Sequence, residues 1–180
     1  MKENSKKVLG EKRRELILSW LQSEGSPLTG SELSKRTNVS RQIIVQDISL
    51  LKARNEPIIA TSQGYVYMQK KHEQPLFQRL IVCQHKPEQT VDELNLLVDH
   101  GVVVKDVIVE HPVYGELTAS IMVRTRKEVA EFLNKVKETN ASFLSQLTEG
   151  IHLHTIEADS PAKLDDACQA LEEAGFLVEN

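Results

Sequence analysis

A short helix, a two-residue turn, a longer helix and a glycine-centred hairpin leave a chain few folds to choose from. Residues 29–67, TGSELSKRTNVSRQIIVQDISLLKARNEPIIATSQGYVY, have that pattern. Thr29 and Glu32 stand at capping-box spacing, where hydroxyl and carboxylate each take a helix-end amide, and open a helix over Gly30–Thr37. Asn38-Val39 makes the turn, since Asn tolerates a left-handed backbone. Ser40 caps a second helix that runs to about Arg54. In it Ile44, Ile48 and Leu51 recur at i, i+4 and i+7, one apolar stripe. The opposite face carries Gln42, Val45, Gln46, Ser49 and Lys52. Amides that pair with adenine, methyls that meet thymine and a cation for phosphate suit a major groove. Residues 57–60 and 65–67 flank Thr61-Ser62-Gln63-Gly64 as two short strands around a turn. The pattern predicts a winged helix-turn-helix. Arg41, Gln42 and Gln46 are expected at base edges, Lys35, Arg36 and Lys52 near phosphate, and Ser40, Val45, Ser49 and the wing residue Gln63 alongside them. The alternative is a winged helix that serves protein contact alone.

The formal net charge of −4 argues against nucleic acid until the chain is divided. Residues 1–71 hold 13 Lys/Arg and 7 Asp/Glu, a net of +6; residues 72–180 hold 9 and 19, a net of −10. A basic head on an acidic body is the asymmetry expected when one domain meets phosphate and the other does not. Much of the head's excess lies in Lys2, Lys6, Lys7, Lys12, Arg13 and Arg14, with Lys35, Arg36 and Arg41 around the turn. No apolar run approaches the roughly 18 residues that span a bilayer, and no apolar signal core follows the basic start. Two separated cysteines, Cys83 and Cys168, do not make a disulfide framework, so a reducing cytoplasm is the expected compartment.

The polar stretch 68–75 ends in Pro75 and reads as the join: a DNA-binding domain over 1–71, a linker at 72–75 and a second domain over 76–180. The second domain alternates strand and helix. Strands are expected over 79–85, 102–110, 117–123 and 151–157. Helices are expected from Thr90, Thr125 and Ser160, the first two opened by capping boxes that end in Glu93 and Glu128 and the third by Pro161 at its first turn. Phe176–Val178 is an optional edge strand. The order β-α-β-β-α-β-α defines an α+β sandwich with helices on one face of a mostly antiparallel sheet. In Ile151-His-Leu-His154 the two histidines point to one face. If helices cover Ile151 and Leu153, both imidazoles stand on the open face. Neighbouring imidazoles can chelate a transition metal, or they can form a plain cross-strand pair. His85 and Glu93 could add a nitrogen and an oxygen, with Cys83 a softer alternative to His85, although Glu93 also fits its place in a capping box. Cys168 falls on a buried stripe.

These residues together resemble the nicotinate-responsive repressors of NAD biosynthesis, which pair a helix-turn-helix with a histidine-marked 3H domain. The likeness runs from about Lys12 to Val178. It rests most on SRQIIVQDISLLKA (40–53), IIATSQGYVY (58–67), EHPVYG (110–115) and GIHLHTI (150–156). The resemblance implies repression of de novo NAD synthesis genes with nicotinic acid as corepressor. It also implies a divalent metal, nickel, held by His85, Glu93, His152 and His154, and a fold similar to the phosphocarrier HPr for the second domain. The same donor set accepts zinc or iron. A metal sensor, or a metal-dependent hydrolase fused to a DNA-binding domain, are the competing classes. His111, Tyr114 and Arg79 are the expected contacts of the nicotinate ring and charge, with Arg124 a further cation. A homodimer on double-stranded operator DNA is expected because a single helix reads few base pairs.

Replacing Gln46 with Ala is expected to relax sequence preference at a cost of about 1–3 kcal/mol, if the amide pairs bidentately with adenine. Replacing Lys52 is expected to weaken all DNA alike and to flatten the salt dependence. Binding isotherms on operator and random DNA check both. Unchanged binding of both DNAs by Gln46→Ala overturns the recognition-helix assignment.

Overall fold

The computed structural model describes residues 9–68 and 76–178. The chain divides into two compact units, residues 1–71 and 72–180. The linker expected at 72–75, like Lys2, Lys6 and Lys7, lies outside the described residues.

The first unit contains α1 (Gly10–Ser23), α2 (Gly30–Thr37), α3 (Arg41–Ala53), β1 (Ile58–Thr61) and β2 (Gly64–Tyr67). Ile17, Leu21, Leu28, Leu33, Ile44, Ile48, Leu51 and Ile58 form its core. Each such buried aliphatic contributes roughly 1.5–3 kcal/mol relative to exposure. The turn between α2 and α3 is as the sequence predicts: Asn38 is left-handed at φ 53°, and the Ser40 hydroxyl accepts from the Ile43 amide. At Thr29 half of the expected capping box forms. Its hydroxyl accepts from the Glu32 amide, while the Glu32 carboxylate pairs with Arg36. β1 and β2 pair antiparallel, and Leu28 bridges Tyr65. Gly64 is required at that junction, because at φ +140° a Cβ would lie 2.6 Å from the Leu28 carbonyl oxygen.

The buried face of α3 also holds a charge. Asp47, 2% exposed, accepts from Arg13 Nε and, at 3.2 Å, from Arg13 Nη2 and Arg14 Nη1. Two arginines counted with the DNA-facing charge thus serve to fix α1 against α3.

The second unit contains β3 (Phe77–Gln84), α4 (Thr90–Asp99), β4 (Val103–His111), β5 (Gly115–Val123), α5 (Arg126–Thr139), β6 (Ile151–Ala158) and α6 (Pro161–Glu173), with 3₁₀ turns at Pro87–Gln89 and Leu144–Thr148. This is the expected β-α-β-β-α-β-α order, in an α+β fold. The sheet order is β3-β6-β4-β5, antiparallel throughout. Phe176–Val178 adds an isolated bridge, Cys83 to Leu177. Ile81, Cys83, Val104, Ile121, Val123 and Ile156 meet Leu94, Leu97, Val98, Val129, Leu164 and Leu171 in the core. Cys168 is half-buried at the edge of this core.

Three expectations change here. Along β6, His152, His154, Ile156 and Ala158 are buried, while Ile151 is 44% exposed and Leu153 half-buried. The histidines therefore sit on the helix-covered face, not the open one. The face is set by Ile156 and Ala158 further along the same strand, not by the apolar neighbours of each histidine. At α4, Thr90 is the first helical residue and Gln89 stands at the cap without a side-chain bond to the helix, so Glu93 is not a capping residue. Ser160 likewise makes no side-chain cap bond, whereas Thr125 and Glu128 form the full box.

Removing one partner of a buried, hydrogen-bonded ion pair costs about 3–5 kcal/mol, because the other is left buried and unpaired. Asp47→Ala is therefore expected to destabilise the first unit by that order, read as a lowered urea midpoint. A loss below about 1 kcal/mol shows that α1 and α3 are held by apolar packing alone.

Candidate metal centre and nucleic-acid interface

On α3 the residues assigned to DNA are the exposed ones. Arg41, Gln42, Val45, Gln46, Ser49 and Lys52 all lie on the surface, with Ser40 at the helix start and Lys35 at the end of α2. The Ser49 hydroxyl donates to the Val45 carbonyl. Gln63 is half-buried in the wing turn, and its amide donates to Thr61 Oγ1. Arg36, expected near phosphate, is also on the surface at the end of α2. It pairs with Glu24 and Glu32 and lies 5.4 Å from the centre of the Trp20 ring, so its charge is already matched within the unit.

In the second unit β3, α4 and β6 bring four ionisable side chains together in the core. Cys83 pairs with His152 and Ile81 with His154 across β3 and β6, and His85 lies just past the end of β3. Gly150 permits this arrangement: at φ +92° a Cβ would fall 2.4 Å from the His85 carbonyl oxygen. Glu93, on the inner face of α4, is 0% exposed, and His85, His152 and His154 are 8%, 2% and 3% exposed. His85 Nε2 lies 2.7 Å from Glu93 Oε2, His152 Nε2 3.3 Å from Oε1, and His154 Nε2 3.5 Å from Oε2.

The other ring nitrogens fix the tautomers. Nδ1 of His85, His152 and His154 lies 2.8, 2.9 and 2.5 Å from the carbonyl oxygens of Lys86, Gly150 and Asp106. A carbonyl only accepts, so each Nδ1 carries hydrogen and donates. Every Nε2 then faces Glu93, either as a lone pair on neutral imidazole or as N–H on imidazolium. A backbone partner on one ring nitrogen with the other left convergent is the arrangement that orients metal-binding histidines. The donor atoms of His85, Glu93 and His152 lie within 4.8 Å of one another, as a metal ion needs. His154 lies outside that trio, but its buried Nε2 has no hydrogen-bond partner among the described residues. An imidazole–carboxylate set of this kind fits a divalent transition ion. Burial raises the Cys83 thiol strongly, which suits a core residue.

The cluster forms one wall of a cavity of about 240 Å³ between α4, α5 and the sheet, lined further by Thr90, Val107, Ile121, Phe132 and Phe143. The sequence assigns no element to the 141–145 wall, and nothing in its composition marks it. The expected ring contacts are not brought to this cavity. His111 and Tyr114 sit in the β4–β5 turn, where His111 Nδ1 accepts from the Val113 and Tyr114 amides and the two rings lie 4.9 Å apart. Arg79 pairs with Asp165 at 2.6 Å, and the Arg124 amide donates to Glu128.

A winged helix with an exposed polar recognition face, joined to a unit with a buried His/Glu centre, defines a two-domain DNA-binding regulator. Residues 13–66 match an HTH domain and residues 78–180 match the 3H domain. The chain is 60% identical over 177 residues to "Transcription repressor NadR" of Bacillus subtilis, covering 97% of each chain. It is 38% identical over 173 residues to "Probable transcription repressor NiaR" of Thermotoga maritima, covering 96% of this chain and 97% of that one. The chain belongs to this family of 3H-domain transcription repressors. It is a DNA-binding repressor and not an enzyme, which removes the hydrolase reading. No helix among the described residues is long and apolar enough to cross a membrane.

Without metal, Glu93 and the imidazoles of His85 and His154 stabilise one another as charges. Burial disfavours ionised Glu93, but the charge of His154 and hydrogen bonds from His152 and His85 outweigh it and hold the carboxyl well below the usual range. Burial also opposes charge on His85 and His154, yet Glu93 prevails and raises both. A raised imidazole contributes stability fully present below its unfolded value, about 6.5, and lost as pH rises through the folded value. The depressed Glu93 contributes stability present above its unfolded value, about 4.3, and lost as pH falls. The metal-free protein is therefore expected to be most stable between about pH 4.5 and 6.5, while metal affinity rises at higher pH as the imidazoles lose their protons. Denaturation midpoints in chelator across pH check this. No decline above about pH 6.5 overturns the imidazolium–carboxylate account.

Proposed function

We propose that this chain represses genes of de novo NAD synthesis, with nicotinic acid as corepressor and a divalent transition metal as cofactor of the second unit. The observation that carries the metal is the convergence of three Nε2 atoms on buried Glu93, with His154 Nε2 lacking a hydrogen-bond partner among the described residues. His85, Glu93, His152 and His154 would hold the ion, nickel by the family resemblance, with zinc and iron suited to the same donors. The ion would supply a buried positive charge and a Lewis-acid site beside the cavity. Nicotinic acid presents a carboxylate and a pyridine nitrogen, and either suits such a site; nicotinamide lacks the charge and is the poorer ligand.

The DNA-binding form is a homodimer that reads two half-sites about one helical turn apart, or a multiple of that. The second unit is its platform, which leaves both basic heads for DNA. Lys35, Arg41, Gln42, Gln46 and Lys52 carry the DNA contacts, with Ser40, Val45, Ser49 and Gln63 beside them. DNA as partner places the repressor in the cytoplasm. Nicotinic acid acts by binding the DNA-competent state better than the other, since equal affinity shifts nothing.

Operator binding across a nicotinic acid titration tests the reading. In wild type with metal, affinity is expected to rise roughly tenfold or more. In His152→Ala/His154→Ala, metal is lost and the rise disappears. Because both rings are buried, that variant is also expected to melt lower, so Glu93→Gln, which keeps the volume, accompanies it. A wild-type response in metal-free variants removes the metal from sensing. A response to metal alone, with no effect of nicotinic acid, makes the protein a metal sensor instead.

A further inference from the structure

The sheet of the second unit has two edges, and the fold closes only one of them. At β3 the chain itself covers the edge: the Gln84 amide donates to the Phe176 carbonyl and the Val178 amide to the Val82 carbonyl, each at 2.9 Å. At the other edge β5 pairs with β4 alone among the described residues. An open edge is a template for another strand, and native edges are usually blunted with Lys, Pro or a bulge. Gly115–Val123 contains neither Lys nor Pro. A bulge stands only at its far end, where Met122 is left-handed at φ 53° and the register with β4 shifts. From Gly115 to Ser120 the register is regular. Charge is divided along this strand. At its start Glu116 lies directly opposite Glu110, a like-charge pair that costs stability. Glu116 takes a 3.4 Å hydrogen bond from the Thr118 hydroxyl, and neither carboxylate has an ion-pair partner among the described residues. At its end Arg124 is exposed. Glu128 holds the Arg124 amide, and the guanidinium has no ion-pair partner among the described residues. The hairpin tip at the acidic end is braced by His111, whose Nδ1 accepts from the Val113 and Tyr114 amides, yet those two side chains are 76% and 74% exposed.

We infer that the open edge of β5 is the contact surface for a second copy of this chain, the two β5 strands pairing antiparallel about a two-fold axis and joining two four-stranded sheets into one. This rests on the homodimer reading proposed above and names the surface that makes it. Antiparallel pairing sets the start of each strand against the end of the other. Glu116, with Glu110 behind it, then faces the partner's Arg124, and the same pair recurs across the axis. A unit of net charge −10 joins its own copy only where local signs are matched, and this pairing matches them. Val113 and Tyr114 at the tip reach past the end of the partner strand and lose their exposure there, which gives the braced tip a use. Thr118 and Ser120 share the outer face of the seam with Glu116, since alternate residues of a strand point to one side. Ala119 and Ile121, on the other side, line the cavity, so the seam adjoins it.

The test is sedimentation of the full chain across a micromolar dilution series, for wild type, Glu116→Arg, Arg124→Glu and the double variant. Each single reversal sets like charges together at two symmetry-related places. It is expected to weaken the dimer by roughly three- to tenfold, and the double variant to return within about twofold of wild type. Glu116→Arg also gives Glu110 an opposite charge within its own hairpin, so its fold is not weakened and the loss is read on association alone. Wild-type dimer affinity in both single variants overturns this interface and leaves the homodimer to form through some other surface. A monomeric wild type, with and without divalent metal and nicotinic acid, sinks the homodimer and this interface together. If a reversal variant does not fold, mild oxidation of Thr118→Cys/Ser120→Cys decides. Those positions meet their own copies across the axis, so a covalent dimer absent from oxidised wild type is expected, and its absence overturns the pairing.

Discussion

A carboxylate with no exposure cannot stay ionised in an apolar core unless positive charge meets it there. Glu93 is that carboxylate, and the arrangement of the second unit follows from meeting the requirement. Three imidazoles from the end of β3 and from β6 point their Nε2 atoms at it. Each is held by a backbone carbonyl on its other nitrogen. The β3–β6 register places Cys83 opposite His152 and Ile81 opposite His154, so a one-residue slip of β6 would turn both to the solvent face. Gly150 supplies the close approach of β6 to His85 that no other residue could make.

The first unit solves a similar problem with different chemistry. Asp47, buried on α3, is met by Arg13 and Arg14, whose guanidinium groups stay charged at any ordinary pH. That pairing is permanent and positions the recognition helix. Imidazole is charged or neutral within the physiological range. The cluster around Glu93 can therefore exchange its protons for a metal ion, as Arg13 and Arg14 cannot. One buried acid fixes geometry; the other is suited to respond to composition of the medium.

The sequence makes the winged helix legible because its signals are local. Cap residues, the Asn38 turn, the Ile44/Ile48/Leu51 stripe and the Gly64 hairpin all act within a few residues, and the exposed face of α3 holds the residues read for it. The order of elements in the second unit was legible for the same reason. What depends on long-range contact was not. The inward face of His152 and His154 is set by Ile156 and Ala158 and by which face the helices cover. Glu93 matched a capping box at the sequence level, yet a 3₁₀ turn at Pro87–Gln89 moves the helix start and leaves it free to face the histidines. The pairing of Arg36 with Glu24 could not be read either, because only the fold brings Glu24, from the end of α1, to α2. The 141–145 wall carries no periodic signal at all.

These facts limit how an effector could act on this protein. A ligand shifts a conformational equilibrium only by its difference in affinity between the two states. Going from one per cent to ninety-nine per cent of the DNA-competent state would need about 5.5 kcal/mol of that difference, more than one hydrogen bond supplies. On the reading proposed here, the difference is shared. Four side chains around an ion would tie the end of β3, α4 and β6, and an acid in the adjoining cavity would meet α5 and the 141–145 wall. Metal alone would order the floor of the cavity, and ligand its far wall. Neither alone reaches every element around it, so the effect of each on the other is positive and, for binding free energies, of equal size.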